Sequence, residues 1–145
     1  MTRHRPLTGD HGNAPLEFTI IAIPALCLAA LILVGGRIAL ASDAVQAAAS
    51  EAARAASISR SAGEAQAAAA AGASAILSNR DLFCETRAVT VDTTGFSLPV
   101  GTPAQVQATV RCDVAFTTLT FIPGVPGTKT ITATMTSPLD TYRDR

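Results

Sequence analysis

Residues Phe18 to Gly36 read FTIIAIPALCLAALILVGG, nineteen positions without a charge, bracketed by Glu17 and Arg37. A helix needs about 20 mostly apolar residues to cross a hydrocarbon core, so this run reads as one membrane span. Pro24 falls inside it and removes one backbone hydrogen bond, which membrane helices accommodate more readily than soluble ones. Two other readings of the run stay open. A buried helix of a soluble protein would need surrounding apolar mass that the rest of the chain does not offer. A removable secretory signal would use Arg3 and Arg5 as its basic region and Ala39-Leu40-Ala41 as its A-x-A site. The apolar run is longer than the usual signal core of about 7–15 residues, however, and the helical pattern passes through that site unbroken. Arg3 and Arg5, opposed by Asp10, precede the span, whereas Arg37 and Asp43 cancel after it. The positive-inside rule then puts the N-terminus in the cytoplasm and the C-terminal portion outside, a single-pass arrangement in the cell membrane with lipid as the first partner.

Composition narrows what the remainder can be. The chain has 145 residues, 11 basic and 11 acidic, so it lacks the clustered cationic excess that phosphate neutralisation needs, and no nucleic-acid partner is expected. Charged residues make up 15%, against about 25% in ordinary soluble domains. Aromatics are 4% and Trp is absent; much of the 48% hydrophobic content is Ala, which buries little area. His4 and His11 are the two histidines and both precede Gly12, and Lys129 is the single lysine. There is no G-x-S-x-G, phosphate-binding loop or dinucleotide glycine pattern. The reading is a non-enzyme with no catalytic residues, no cofactor and no metal site, the three cysteines having no close ligand spacing.

After the span the sequence stays helical. Residues 41–76 hold eighteen Ala in 36 positions, and Ala has the highest helix propensity. Glu51 with Arg54 and Arg60 with Glu64 are spaced for local charge support. Ser61-Ala62-Gly63-Glu64 fits a capping box, so a break is expected near Ser57–Gly63. One helix then runs from Ala14 to Ser57, roughly 65 Å at about 1.5 Å per residue, and a second from Ala62 to Ser78, with Asn79 terminating it. Small side chains of this kind permit close helix–helix approach, or packing beneath a small sheet.

From Thr86 the period changes to two. Arg87–Asp92 alternates, as does Ala104–Val114, where Val106, Ala108, Val110, Cys112, Val114 and Phe116 share one face and Gln107, Thr109, Arg111 and Asp113 the other. Thr128–Ser137 alternates with Ile131, Ala133 and Met135 inward. Pro99, Gly101 and Pro103 mark one connection; Pro123, Gly124, Pro126 and Gly127 mark the next. The fold class is therefore α+β: an N-terminal transmembrane helix continuing into a long Ala-rich helix, and a second helix packed as the cover of a three-stranded antiparallel meander. The organisation expected is a leader at 1–12, a transmembrane and projecting helix at 13–57, and a small external α+β domain at 58–145. Outside the cell, Cys84 and Cys112 are expected to form a disulfide worth about 3–4 kcal/mol for a loop of about 30 residues; two buried free thiols are the alternative. Cys27 lies in the span as a small apolar residue.

The junction ahead of the span is Gly12-Asn13-Ala14-Pro15-Leu16-Glu17-Phe18. A carboxylate at a membrane edge needs a partner, although an acid in a helix's first turn is also favoured by the helix dipole. Gly12 and Glu17 with the following apolar run resemble the type IV prepilin junction. Together with the Ala-rich Val45–Ala56 stretch they resemble more specifically the TadE-like family of the tight-adherence (Flp) pilus system. The likeness covers residues 12–57 closely and the remainder in layout. It implies a pilin-like minor subunit, cut by a prepilin peptidase between Gly12 and Asn13, with Glu17 pairing in the membrane with the new amino terminus of a neighbouring pilin-like or TadE-like subunit. Pro15 departs from the family's small or aliphatic residues at that point, which bears directly on the cut. The alternative function is a membrane-tethered envelope protein whose external domain binds a partner through the Phe96-Ser97-Leu98-Pro99 and Phe121-Ile122-Pro123 loops, with no filament role.

Overall fold

The computed structural model describes residues 14–115 and 127–142, with side chains from Glu17 onward. Gly12 and Asn13, the two histidines, Phe116 and the Phe121-Ile122-Pro123 stretch lie outside these. The elements are α1 (Ala14–Ser57), α2 (Ala62–Asn79), β1 (Thr86–Asp92), a short 3-10 turn (Thr94–Ser97), β2 (Ala104–Ala115) and β3 (Thr128–Leu139). The architecture is α+β, with a long N-terminal apolar helix, a second helix and a three-stranded antiparallel sheet ordered β1-β2-β3. The chain divides into two compact units, and the division falls inside α1, between Arg37 and Ile38.

In the N-terminal unit, α1 begins at Ala14, so Pro15 sits in the first turn, where its missing N–H is no loss. The helix continues through Pro24. Its large apolar side chains face outward without cover: Phe18 is 74% exposed, Leu26 70% and Leu33 70%. The segment is long and apolar enough to cross a membrane.

The C-terminal unit starts at Ile38 and takes the last five turns of α1 with it, because those turns are part of its core. Buried residues on α1 fall in two rows of period four: Ala41, Val45, Ala49 and Ala53, and beside them Ala44, Ala48, Ala52 and Ala56. On α2 a single row, Ala65, Ala69, Ala73 and Leu77, is buried. The helices touch where Gly72 of α2 lies against Glu51 and Ala55 of α1; a Cβ on Gly72 would sit 3.4 Å from the Glu51 side chain. The second helix was the expected cover of the sheet, but both helices share that role. α2 lies along β1, and Ser57 at the end of α1 meets Ser137 of β3, hydroxyl to hydroxyl, at 3.0 Å. A helix about 10 Å across covers roughly two strands spaced about 4.8 Å apart, so two helices are needed to close over the sheet's apolar face.

That face is the alternation expected from β2: Val106, Ala108, Val110, Cys112 and Val114 are buried, joined by Ile131, Ala133 and Leu139 of β3. β1 pairs with β2 from Thr86 opposite Asp113 to Asp92 opposite Gln107. β2 pairs with β3 from Ala104 opposite Leu139 to Ala115 opposite Thr128. Between β1 and β2, Gly95 packs so tightly that a Cβ there would stand 2.5 Å from the Gln105 carbonyl, which excludes any other residue. Gly101 turns the chain at φ +90° and donates its N–H to the Thr141 carbonyl at 2.7 Å. The cap of α2 differs from the simple box. Ser61 accepts the Glu64 N–H at 3.3 Å, but Glu64 reaches back to the Arg60 N–H at 3.2 Å rather than to Ser61. Glu64 thus serves the Arg60 backbone instead of pairing with its side chain. The Glu51–Arg54 pair does form, at 3.1 Å on the surface.

Candidate functional site

Three places in the described residues carry groups with a chemical role: the start of α1, the cysteine pair, and the strand positions around Asp113. Glu17 occupies the first turn of α1 and faces outward, one residue ahead of the exposed apolar run. No charge balances it within the turn that follows: Phe18, Thr19, Ile20 and Ile21 are uncharged. Its expected partner is the new amino terminus of a neighbouring subunit, and the expected cut between Gly12 and Asn13 lies outside the described residues. Cys27 is a free, exposed thiol in the apolar segment.

Cys84 and Cys112 are joined, with Cα atoms 5.3 Å apart at a sequence separation of 28. Cys112 stands opposite Arg87 on the buried face of β2. The bridge therefore ties the loop that leaves α2 to the central strand, next to the Leu82 and Leu77 side chains of the core. Beside it runs a shallow groove bounded by Ser78, Asp81, Phe83, Glu85 and Arg87. Phe83 projects from its rim at 86% exposure, and Asp81 makes the sharp turn into it at φ 51°.

Next to Cys112, on the opposite face, the Asp113 carboxylate joins all three strands. It accepts hydrogen bonds from the Thr86 hydroxyl of β1 and the Thr130 hydroxyl of β3, and Arg111 stands 3.9 Å away. The Thr130 bond, then the Thr86 bond, hold its pKa below the ordinary carboxylate value. Asp92 at the end of β1 is lowered in the same way by the Thr94 N–H, which it accepts at 3.0 Å as an Asx turn. Neither aspartate was singled out from the sequence, because each reads there as one polar residue on a solvated strand face. The loop residues that were singled out divide. Phe96 folds in as a half-buried lid on the core, whereas Leu98 remains exposed.

Gln66 was also missed. Its side-chain amide donates to the Val89 carbonyl at 2.8 Å and accepts the Val91 N–H at 3.1 Å, closing the free edge of β1. Among the described residues no three His, Cys, Asp or Glu side chains come together. The described residues offer an exposed apolar helix, an acid in its first turn, and a small cross-linked α+β unit. Comparison with protein-family models, curated proteins and solved structures found no match to this chain.

Proposed function

We propose that this chain is a minor pilin-like structural component of a tight-adherence (Flp) pilus or a related secretion apparatus, held in the membrane by its N-terminal helix. The observation that carries the reading is α1 itself, one helix from Ala14 to Ser57 that opens with Glu17, exposes large apolar side chains, and ends as a buried part of a small α+β unit. Such a helix both anchors and supports, and the carboxylate at its start favours a cationic partner in a medium that penalises an unpaired charge. On this reading the chain is not an enzyme. A prepilin peptidase removes residues 1–12, Glu17 neutralises the amino terminus of a neighbouring pilin-like subunit, and the C-terminal unit faces outward, where its disulfide forms and persists.

Intact mass of the protein extracted from its native membrane tests the first step. Loss of residues 1–12 supports processing at Gly12, while a cut near Ala41 would replace the anchor with a secreted domain. Glu17→Ala tests the second: lost assembly with normal membrane insertion is expected, and unchanged assembly favours a tethered partner-binding protein instead.

A further inference from the structure

The two sulfurs of the Cys84–Cys112 bridge have unlike surroundings. Cys112 lies on the inward face of β2 with 0% exposure, in the same core as Leu77 and Leu82. Cys84 sits half-buried in the loop that leaves α2 and lines the groove bounded by Ser78, Asp81, Phe83 and Glu85. That groove is open on one side and has a volume of about 460 Å³. Cys112 is not among the described residues that line it. One end of the bridge therefore meets a space that a small molecule can enter, and the other meets only the core.

Thiol–disulfide exchange is a displacement at sulfur, and access decides which sulfur is attacked. The attacking thiolate approaches along the S–S axis, from the side away from the leaving sulfur. For Cys84 that side is the groove; for Cys112 it is the packed interior beneath β2. The loop also has anchors other than the bridge. The Asp81 N–H donates to the Ser78 carbonyl at 3.1 Å and the Leu82 N–H to the Leu77 carbonyl at 3.0 Å. On the other side of Cys84 the Glu85 N–H donates to the Asp113 carbonyl at 2.8 Å. Backbone hydrogen bonds thus flank Cys84 and tie it to the strand that carries Cys112.

We propose that Cys84 is a thiol–disulfide exchange site: the groove admits a low-molecular-weight disulfide or thiol to Cys84 alone, and Cys112 serves as the resolving sulfur from inside the core. In oxidation the Cys84 thiol loses its proton, and its thiolate attacks one sulfur of the small disulfide. That S–S bond breaks, a mixed disulfide forms at Cys84, and the first small thiolate leaves. The Cys112 thiol then loses its proton and attacks Cys84 Sγ, and the second small thiolate leaves. The two departing thiolates take up the two protons, so the cysteine pair gives two electrons and the small disulfide becomes two thiols. Reduction runs the same steps backward, with attack on Cys84 Sγ and Cys112 as the leaving group. Apolar burial raises a thiol's pKa and makes its thiolate a poor leaving group, so the bridge yields slowly to reductant although its outer sulfur can be reached. The inference stands on the C-terminal unit alone and does not depend on the pilus reading.

The test uses the full chain in detergent, with Cys27→Ala so that only the two sulfurs of the bridge can react. With glutathione disulfide as the probe, the Cys112→Ala chain should take up one glutathionyl group at Cys84. The Cys84→Ala chain should react about a hundredfold more slowly, since a fully buried thiol reacts only when the structure opens. Equal rates would overturn the assignment, and so would two chains that react only after urea is added, because the groove would then admit no reagent. Sulfite on the bridged chain asks the same question with both cysteines in place, and it decides the matter if either variant does not fold. Sulfite breaks the bond, leaves a sulfonate on the attacked sulfur and frees the other as a thiol. Peptide mass after acid quench should find the sulfonate on Cys84 about tenfold or more over Cys112. An even split, or sulfonate mainly on Cys112, would overturn Cys84 as the point of entry.

Discussion

The N-terminal unit and the C-terminal unit use apolar side chains in opposite ways. Before Arg37 the large ones, Phe18, Ile20, Leu26, Leu31 and Leu33, all face outward and are exposed among the described residues. After it the core is made mostly of alanine, and the largest fully buried side chains are Val45, Val106, Val110 and Cys112. Large outward groups make a segment that needs an apolar solvent. Small inward groups make a unit whose backbones lie close together but which removes little area from water, about 25 cal/mol for each Å² of apolar surface. The first arrangement is that of a segment long and apolar enough to cross a membrane, and the second has to find support beyond burial, in a covalent link and in hydrogen bonds at the strand edges.

The comparison breaks first at the disulfide. If the alanine core is too weak to stand alone, Cys84→Ala with Cys112→Ala should lower the unfolding free energy of the C-terminal unit by about 3–4 kcal/mol, and leave membrane extraction behaviour unchanged. Urea titration followed by circular dichroism measures it. A loss under about 1 kcal/mol would mean that the alanine rows hold the fold unaided.

The opposite substitution probes the other unit. Leu31→Arg places a charge in the middle of the apolar segment, where insertion costs about 2.5–3.5 kcal/mol. Alkaline carbonate extraction should move the variant from the membrane pellet to the supernatant, with the disulfide of the C-terminal unit still formed. Retention in the pellet would mean that this face of α1 meets protein or water rather than lipid.

The sequence reveals these two units unequally, and the reason is contrast. The apolar run, the α1 and α2 boundaries and the three strands are legible because each sets unlike residues side by side: leucine against arginine, valine against glutamine, a serine cap against an alanine run. Within residues 41–76 that contrast vanishes. Ala48 and Ala52 are fully buried while Ala67 and Ala70 are exposed and Ala47 is half-buried, and nothing in the letters separates them, so the share of the core contributed by α1 could not be read. Gln66 and Asp113 were illegible for another reason. Each acts on groups 17 to 27 positions away, and no local pattern encodes a pairing of that range. The junction at Gly12 and Asn13 is the reverse case, a pattern legible in sequence that lies outside the described residues.

A smaller effect sharpens the claim that close approach matters between the helices. Gly72→Ala adds a methyl group at ordinary contact distance from Glu51 and Ala55 and removes a mid-helix glycine, so it should stabilise the unit by about 0.5–1 kcal/mol. Gly72→Leu cannot be accommodated without moving α1, and should cost about 1–3 kcal/mol. Thermal melts of the two variants should therefore shift in opposite directions. Two shifts of the same sign would mean that the helices slide freely and that small size at this position is incidental.

The smallest effect concerns the hydrogen bonds that supplement the core. Asp113 has a folded-state pKa below its unfolded value, because the Thr130 and Thr86 hydroxyls donate to the ionised carboxylate. The stabilisation is thus fully present above the unfolded pKa, near 3.9, and is lost as pH falls through the depressed folded value. Asp113→Asn removes the ionised acceptor and should flatten that part of the acid limb, so that the difference in melting temperature between wild type and variant narrows between about pH 5 and pH 2. Asp92 titrates in the same direction and remains in the variant, so a residual acid dependence is expected. The informative quantity is the difference between the two curves. A difference that stays constant from pH 7 to pH 2 would mean that Asp113 braces the three strands through its shape and not through its charge.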